Sequence, residues 1–375
     1  MSTPKTLLIL HRGGSQIRGS EEALFRLIDG LDPDRFRPVV LCSDAVLGAQ
    51  LGSRAIAWQL QVFPEILVSR GEQRLPLSAY AKAISSVVRF GRSHHADVVL
   101  CSGGGPCQLG VPSGRLLRVP VVGLFHHPAP RNYHRFWLTR RVSRMIYTSR
   151  YTAEHSAEHL GPKGDVVYIG IDARGRYAAV ERDAGVRAQM GIAPNDVVFG
   201  QVGALVPHKG HDVLLAAFAR VAAEFPHSRL LIVGTGPQLA RLEETVRARG
   251  LEERVTFTGY VPDTRLFFQH VLDVNVLASH EEGFGLVNLE ASACGLPNIA
   301  TDGTGIRETV VAGETGFLFP DGDSNALADE MLRLGHDAAL RRRLGTNGRE
   351  LVVTRFAVDA YADHIQQLLQ ATLQR

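Results

Sequence analysis

Residues 279–297 read Ser279-His-Glu-Glu-Gly-Phe-Gly-Leu-Val-Asn-Leu-Glu-Ala-Ser-Ala-Cys-Gly-Leu-Pro297. The preceding run, Val271–Ala278, is mostly apolar and rich in β-branched residues, which predicts a buried strand. A helical pattern follows from Leu286 to Cys294, and Gly295 and Pro297 stop it in the order usual for a helix C-terminus. The stretch is therefore a strand, a glycine turn and a helix start. Backbone N–H groups of Gly283, Phe284 and Gly285 lie where an anion is favoured.

Two carboxylates bracket this turn, Glu282 and Glu290. Eight helical steps rise about 12 Å, too far for the pair to share one proton but suited to two parts of one extended ligand. Glu290 stands in a segment, 283–297, with no other charge. If buried it needs a hydrogen-bonding partner, protein or ligand; a half-exposed glutamate on the helix face accounts for the spacing equally well.

Outward from there, 375 residues suit two domains, and 45% hydrophobic with 21% charged residues is the composition of a globular protein. Four scattered cysteines form no C-x-x-C pair, which argues against a zinc ribbon or disulfide framework and fits a reducing compartment. The N-terminus has only a short apolar run from Thr6 and reads as a first strand rather than a signal peptide. No run approaches the ~18 residues of a spanning helix. Residues 1–170 hold 21 Lys+Arg and 12 Asp+Glu, while residues 171–375 hold 20 and 26. A basic first half favours an anionic partner (a phosphorylated substrate, an anionic lipid surface or nucleic acid), although an arginine-rich soluble face gives the same count.

Along the chain, strands are predicted at 6–10, 38–42, 97–101, 119–125, 145–148 and 166–169, then at 197–202, 229–233, 255–257 and 298–300. Helical periodicity covers Glu21–Leu31, with Ser20 as its N-cap, and Asp212–Glu224. His126, with His127 as alternate, follows a strand end, where open α/β sheets place ligands. Lys209 lies in a glycine loop before a helix, a natural phosphate ligand. Residues 131–150, strongly basic with interleaved aromatics, read as an amphipathic helix running into a strand, although such a stretch can also bind nucleic acid. His155 and His159, four apart on a predicted helix, are better explained by a solvated face than by zinc. Asp321 and Asp323 are better explained by turn and N-cap chemistry than by metal.

E-G-F-G-L-V-N-L-E (282–290) followed by A-S-A-C-G-L-P resembles the E-x7-E signature of the family 4 retaining glycosyltransferases. Gly203-Ala204-Leu205 with Lys209-Gly210 resembles the family's G-R-L-x-x-x-K-G, with Ala204 where arginine is usual. Gly234-Thr235-Gly236, Gly259-Tyr260-Val261-Pro262, Gly305-Ile306-Arg307-Glu308 and Gly313–Phe319 also match. Gly19-Ser20-Glu21-Glu22 is similar to the family's acceptor-side loop, and Gly170-Ile171-Asp172 to its interdomain motif, with asparagine missing.

The resemblance implies a GT-B fold: two Rossmann-like doubly wound domains facing across a cleft. The implied boundaries are 1–172 for the acceptor-side domain, 173–195 for a linker, 196–355 for the donor domain, and 356–375 for a helix returning to the first domain. It implies transfer of a sugar from a UDP- or GDP-sugar to an acceptor hydroxyl with retention and without a metal or other cofactor. By position, His126, Glu282 and Lys209 take the catalytic roles. Gly203, Gly234, Gly283, Phe284, Gly285, Leu286 and Glu290 hold the donor, with Glu290 on the ribose, and Gly19 and Ser20 lie on the acceptor side. Arg12, Arg18 or Arg307 would replace the guanidinium missing at Ala204. The implied acceptor is a glycan or lipid-linked sugar, with no nucleic acid partner. The implied setting is cytoplasmic, with peripheral contact at the inner face of the membrane through the basic domain. A nucleotide-sugar 2-epimerase of the same fold and a non-catalytic nucleotide-sugar-binding protein are the alternatives.

Overall fold

The structure, a computed structural model, describes residues 3–14, 16–64, 67–69, 72–74, 76–128, 138–160 and 164–374, with 67–69, 72–74 and 157–160 as backbone only. The chain forms two compact units: Met1–Gly170 with Val358–Arg375, and Ile171–Ala357.

In the first unit seven strands form one parallel sheet: β1 (Lys5–His11), β2 (Phe36–Cys42), β3 (Ala57–Leu60), β6 (Val98–Ser102), β7 (Val121–Phe125), β8 (Arg144–Tyr147) and β9 (Asp165–Val166). A short antiparallel hairpin of β4 (Leu67–Ser69) and β5 (Glu72–Arg74) stands apart from it. The sheet order is β3-β2-β1-β6-β7-β8-β9, so the winding reverses between β1 and β6. Continuous apolar runs suit strands covered on both faces, and Leu7, Leu8, Ile9 and Leu10 are fully buried. The order reverses with His11 and Ser102 aligned across the two strand ends.

The second unit has a six-stranded parallel sheet: β10 (Val197–Val202), β11 (Ser228–Val233), β12 (Val255–Gly259), β13 (Val274–Leu277), β14 (Asn298–Thr301) and β15 (Gly316–Phe319). Its order is β12-β11-β10-β13-β14-β15, which reverses between β10 and β13. Helices His211–Glu224, Leu239–Ala248, Leu286–Ala293, Ser324–His336 and Ala338–Arg355 cover the faces of this sheet. Phe199, Phe218, Ile232, Val276 and Met331 lie in one buried core.

The last helix, Val358–Leu373, packs in the first unit. It buries Tyr361, Ala362, Ile365 and Leu369, and the Gln366 side-chain oxygen accepts from the Asp32 N–H at 2.9 Å. Arg144 donates to the Thr372 hydroxyl at 3.0 Å.

Several expectations change. The first helix spans Gly19–Asp29 with Arg18 at the N-cap, so Ser20 lies inside it. Glu21 does the capping instead, accepting the Arg18 N–H at 3.0 Å. Residues 138–143 do not form an amphipathic helix: Leu138 has φ of 56° and Thr139–Arg141 is a single 3-10 turn. Leu138 and Val142 nevertheless pack against the core, as loop anchors. The part of that expectation at 131–137 lies outside the described residues. The strand expected at 166–169 is only Asp165–Val166. That expected at 271–278 is shortened to Val274–Leu277 by a π-helical turn at Phe267–Val271.

Candidate functional site

At the reversal of the second sheet the loops after β10 and β13 meet. Gln201, buried at the end of β10, ties them: its side-chain nitrogen donates to Lys209 O at 2.8 Å and its oxygen accepts from the Ala278 N–H at 3.1 Å. His280 N–H adds a bond to His208 O at 2.8 Å. Only glycine fits at Gly210, where φ is +64° and a Cβ would stand 1.8 Å from Ala278 O. Gly234, with φ of +145°, is pressed in the same way by Gly203 O, 1.9 Å from its would-be Cβ.

This close packing lays the Lys209 stem across Gly203: the Lys209 Cε would be 3.9 Å from a Cβ there. The Lys209 ammonium pairs with the Glu282 carboxylate at 2.5 Å, and both side chains are largely buried. The Glu282 carbonyl in turn accepts from the Gly305 N–H at 3.0 Å. Gly285, with φ of +80°, is the N-cap of helix Leu286–Ala293. Phe284 between the two glycines points inward, 4% exposed, with its ring edge-on to Phe356 at 5.9 Å between centroids. Its side chain is therefore core, leaving only its backbone for a ligand.

Glu290 is 7% exposed, and its Oε1 accepts from the Tyr177 hydroxyl at 3.0 Å. The partner it requires includes a protein group. Beneath the helix, Asn275 donates to Asn288 at 3.0 Å and to Asn298 at 2.8 Å, and Asn298 donates to Ser292 Oγ at 2.8 Å. This buried amide network fixes the helix that carries Glu290. Burial first, and then the Glu290 charge, push the Cys294 thiol up to about 12.

In the first unit, the carboxyl ends of β1, β6 and β7 and the helix Gly19–Asp29 bring four side chains into a chain. His11 Nε2 lies 3.4 Å from Glu21 Oε1, His11 Nδ1 lies 2.9 Å from Ser102 Oγ, and Ser102 Oγ lies 3.3 Å from His126 Nε2. Burial opposes ionisation of Glu21, but the His11 hydrogen bond, the adjacent imidazole and the backbone N–H groups together hold the carboxyl below its usual range. Burial, with the neighbouring His127 and His11 imidazoles, drives His126 down to about 3, so it is neutral at physiological pH. His127, the alternate, is exposed. Gly19 and Ser20 open the first helix beside this cluster, and the Ser20 hydroxyl donates to Glu21 Oε2 at 3.0 Å.

Thus Lys209, Glu282, Gly203 and Gly234 converge in the second unit, with Gly283, Gly285 and Leu286 on the adjoining turn. Glu290 sits further along the same helix, while His126, Gly19 and Ser20 belong to the first unit. Tyr177, Gln201, His11 and Ser102 were not singled out from sequence. The nearest signal for His11 is a histidine ending a buried strand. The arginines considered as substitutes at Ala204 are engaged: Arg307 with Asp302 at 2.5 Å and Arg18 with Gln16 at 3.0 Å. Arg12 also has a partner. Asp323 caps helix Ser324–His336, accepting from Asn325 N at 3.0 Å and Ala326 N at 2.9 Å. His155 Nδ1 donates to the Tyr151 carbonyl at 2.9 Å, and the His159 side chain lies outside the described residues. Among the described residues no group of three His, Cys, Asp or Glu side chains could hold a metal ion, and no helix is long and apolar enough to cross a membrane.

Two sheets of this kind, each with loops meeting at its reversal, define a two-domain α/β protein of the type that places ligands at the carboxyl ends of its strands. Comparison with known proteins is specific. The family "Glycosyl transferases group 1" matches residues 185–351, and "Glycosyltransferase Family 4" matches residues 17–174. The chain belongs to this glycosyltransferase family, and its fold is GT-B. It is 33% identical over 202 residues to N-acetyl-alpha-D-glucosaminyl L-malate synthase of Bacillus anthracis, covering 53% of this chain and 52% of that one. It is 29% identical over 298 residues to a GDP-mannose-dependent phosphatidylinositol monomannoside mannosyltransferase of Mycobacterium tuberculosis, covering 74% and 76%. With the first of these relatives, and with a Staphylococcus aureus capsular glycosyltransferase, the match spans only about half of their length (52% and 47%). Among solved structures, Anabaena HepE in complex with UDP and glucose has a TM-score of 0.86 at 22% identity, covering 98% of this chain and all of that one. Sucrose-phosphate synthase of Thermosynechococcus elongatus has 0.80 at 21%, covering 99% of each.

Proposed function

We propose that this chain transfers a sugar from a UDP- or GDP-sugar to an acceptor hydroxyl, with retention at the anomeric carbon and without a metal. The observation that carries the reading is Lys209, held over Gly203 and paired with Glu282 where the second sheet reverses. A fixed ammonium beside a helix start stabilises charge developing on a diphosphate leaving group, the task a metal performs elsewhere. The diphosphate competes with Glu282 for Lys209, and the released carboxylate is then available to accept from sugar hydroxyls. Glu290, already oriented by Tyr177, holds the ribose, and His126 meets the donor sugar. Names of the relatives support the donor class: one is GDP-mannose-dependent, and HepE was crystallised with UDP and glucose. The acceptor is a glycan or lipid-linked sugar, and the basic first half suits its phosphates or a peripheral contact with an anionic membrane face.

The test is a thermal-shift and turnover screen against UDP-, GDP-, ADP- and dTDP-sugars in EDTA, with Glu290→Ala alongside. Stabilisation by one nucleotide class, lost in the variant, with release of nucleoside diphosphate, is the expected result. Product analysis by NMR then reads the anomeric configuration. An inverted product, dependence on added divalent metal, or an epimerised free sugar would each overturn part of the reading. Binding without any release would leave a nucleotide-sugar-binding protein, consistent with the Ala204 departure.

A further inference from the structure

The four side chains Glu21, His11, Ser102 and His126 carry a consequence beyond contact with a donor sugar, though it rests on that reading of His126. We propose that Glu21, His11 and Ser102 are positioning residues that fix the tautomer of His126, so that its Nδ1 meets the ligand as a hydrogen-bond acceptor.

An ionised carboxylate only accepts. Glu21 therefore takes the hydrogen of His11 Nε2 at 3.4 Å. With one hydrogen on His11, donated from Nε2 to Glu21, its Nδ1 accepts from Ser102 Oγ at 2.9 Å. The single serine hydrogen is then committed. At its other side Ser102 Oγ can only accept, so His126 Nε2, 3.3 Å away, carries the hydrogen. His126 is neutral, so its Nδ1 is left as a lone pair, and that atom is buried without a partner among the described residues. A buried unpaired acceptor is costly, and a ligand hydroxyl would satisfy it. Two of the three links are long, as catalytic hydrogen bonds often are before substrate binds.

Glu21 also makes the polarity reversible by one substitution. Its Oε2 accepts from the Arg18 N–H and the Ser20 hydroxyl, both at 3.0 Å. In Glu21→Gln the amide oxygen stays on the Arg18 N–H, and glutamine caps a helix at this position as well as glutamate does. The amide NH2 then faces His11 Nε2 and donates. His11 moves its hydrogen to Nδ1, Ser102 receives it and donates onward, and His126 is left with Nε2 bare and Nδ1 protonated. The total proton count on the two imidazoles is unchanged; each has exchanged one tautomer for the other.

The test is long-range 1H–15N correlation on the full chain labelled with 15N-histidine at pH 7.5, with His126→Gln used only to assign the resonance. The expected result is an Nε2–H His126 in the wild type and an Nδ1–H His126 in Glu21→Gln. Ser102→Ala should give a mixture, and Ser102→Thr, which keeps the hydroxyl, should restore the wild-type pattern. Glu21→Gln should also lower turnover over donor KM by tenfold or more while the melting temperature stays near that of the wild type. An Nδ1–H His126 in the wild type, or a His126 spectrum unmoved by Glu21→Gln in a folded variant, overturns the proposal. An inverted tautomer with unchanged turnover supports the wire and overturns the placing of His126 at the donor sugar.

Discussion

Replacing Tyr177 with phenylalanine removes one oxygen and leaves the ring volume in place. Tyr177 is 2% exposed and Glu290 7%, so no water replaces the lost donor freely. The bond removed is Tyr177 hydroxyl to Glu290 Oε1, 3.0 Å long, and its acceptor is a carboxylate. Hydrogen bonds to charged groups contribute ~1.5–3 kcal/mol. Glu290 keeps other interactions, so ~2 kcal/mol is the expected loss. For a unit of this size, residues 171–357, each kcal/mol moves the melting temperature by ~2–4 °C, giving a drop of ~4–8 °C. Calorimetry on Tyr177→Phe, Glu290→Gln and the double variant checks this. The two single changes should couple by ~1 kcal/mol or more, because they remove the same bond. Additivity within ~0.5 kcal/mol, or a melting shift below ~2 °C, would refute the argument that Tyr177 orients Glu290.

His211 offers a pH test. It is 1% exposed, and neither ring nitrogen has a partner among the described residues. Burial first, and then the Lys209 charge, drive it down to about 4. Below the unfolded value of ~6.5 the unfolded chain takes up a proton that the folded one refuses, so stability falls as pH drops through that window, by ~2 kcal/mol at pH 5. His211→Leu should remove this slope, and urea midpoints at pH 7 and pH 5 compare the two proteins. Gly210→Ala and Gly250→Ala share a φ of +64°, but only the first would place a Cβ against backbone, 1.8 Å from Ala278 O. Both should lose ~1 kcal/mol of stability to left-handed strain, and Gly210→Ala should lose markedly more stability together with nucleotide binding in a thermal-shift titration. Lys209→Ala should weaken nucleoside diphosphate binding by tenfold or more in calorimetric titration while binding of the bare nucleoside is unchanged.

The strand Val197–Val202 was legible to the residue, because a run buried on both faces is bounded by polar linker and glycine loop. The helix Val358–Leu373 falls inside the 356–375 stretch where the family resemblance implied a returning helix. Spacing misled at 138–143, where Leu138 and Val142 sit four apart yet anchor a loop. Met145 and Ile146 complete the helical spacing but lie in the strand Arg144–Tyr147, so loop anchors and strand residues together imitate a helical period. The glycine loop around Lys209 could be read as a phosphate site because its residues are neighbours in sequence. The pairing of Tyr177 with Glu290 spans 113 positions, and that of His11 with Ser102 spans 91. Those contacts are set by sheet order, which brings distant strand ends side by side, and no local pattern encodes them.

The helix Val358–Leu373 belongs to the first unit although the chain reaches it only after completing the second. Where the chain passes into and out of the second unit, Ile171 N–H bonds to Phe356 O at 2.8 Å, so those two points are clasped together. The second unit is thus an insertion within the first. On the ribosome it can close as soon as residue 357 has emerged, while the first unit still lacks its final helix. Until then Ala23 and Gly30, against which Tyr361 and Ala362 pack, are bare. The first unit can complete its packing only after the second has been synthesised, so the surface it makes early stays uncovered for longer.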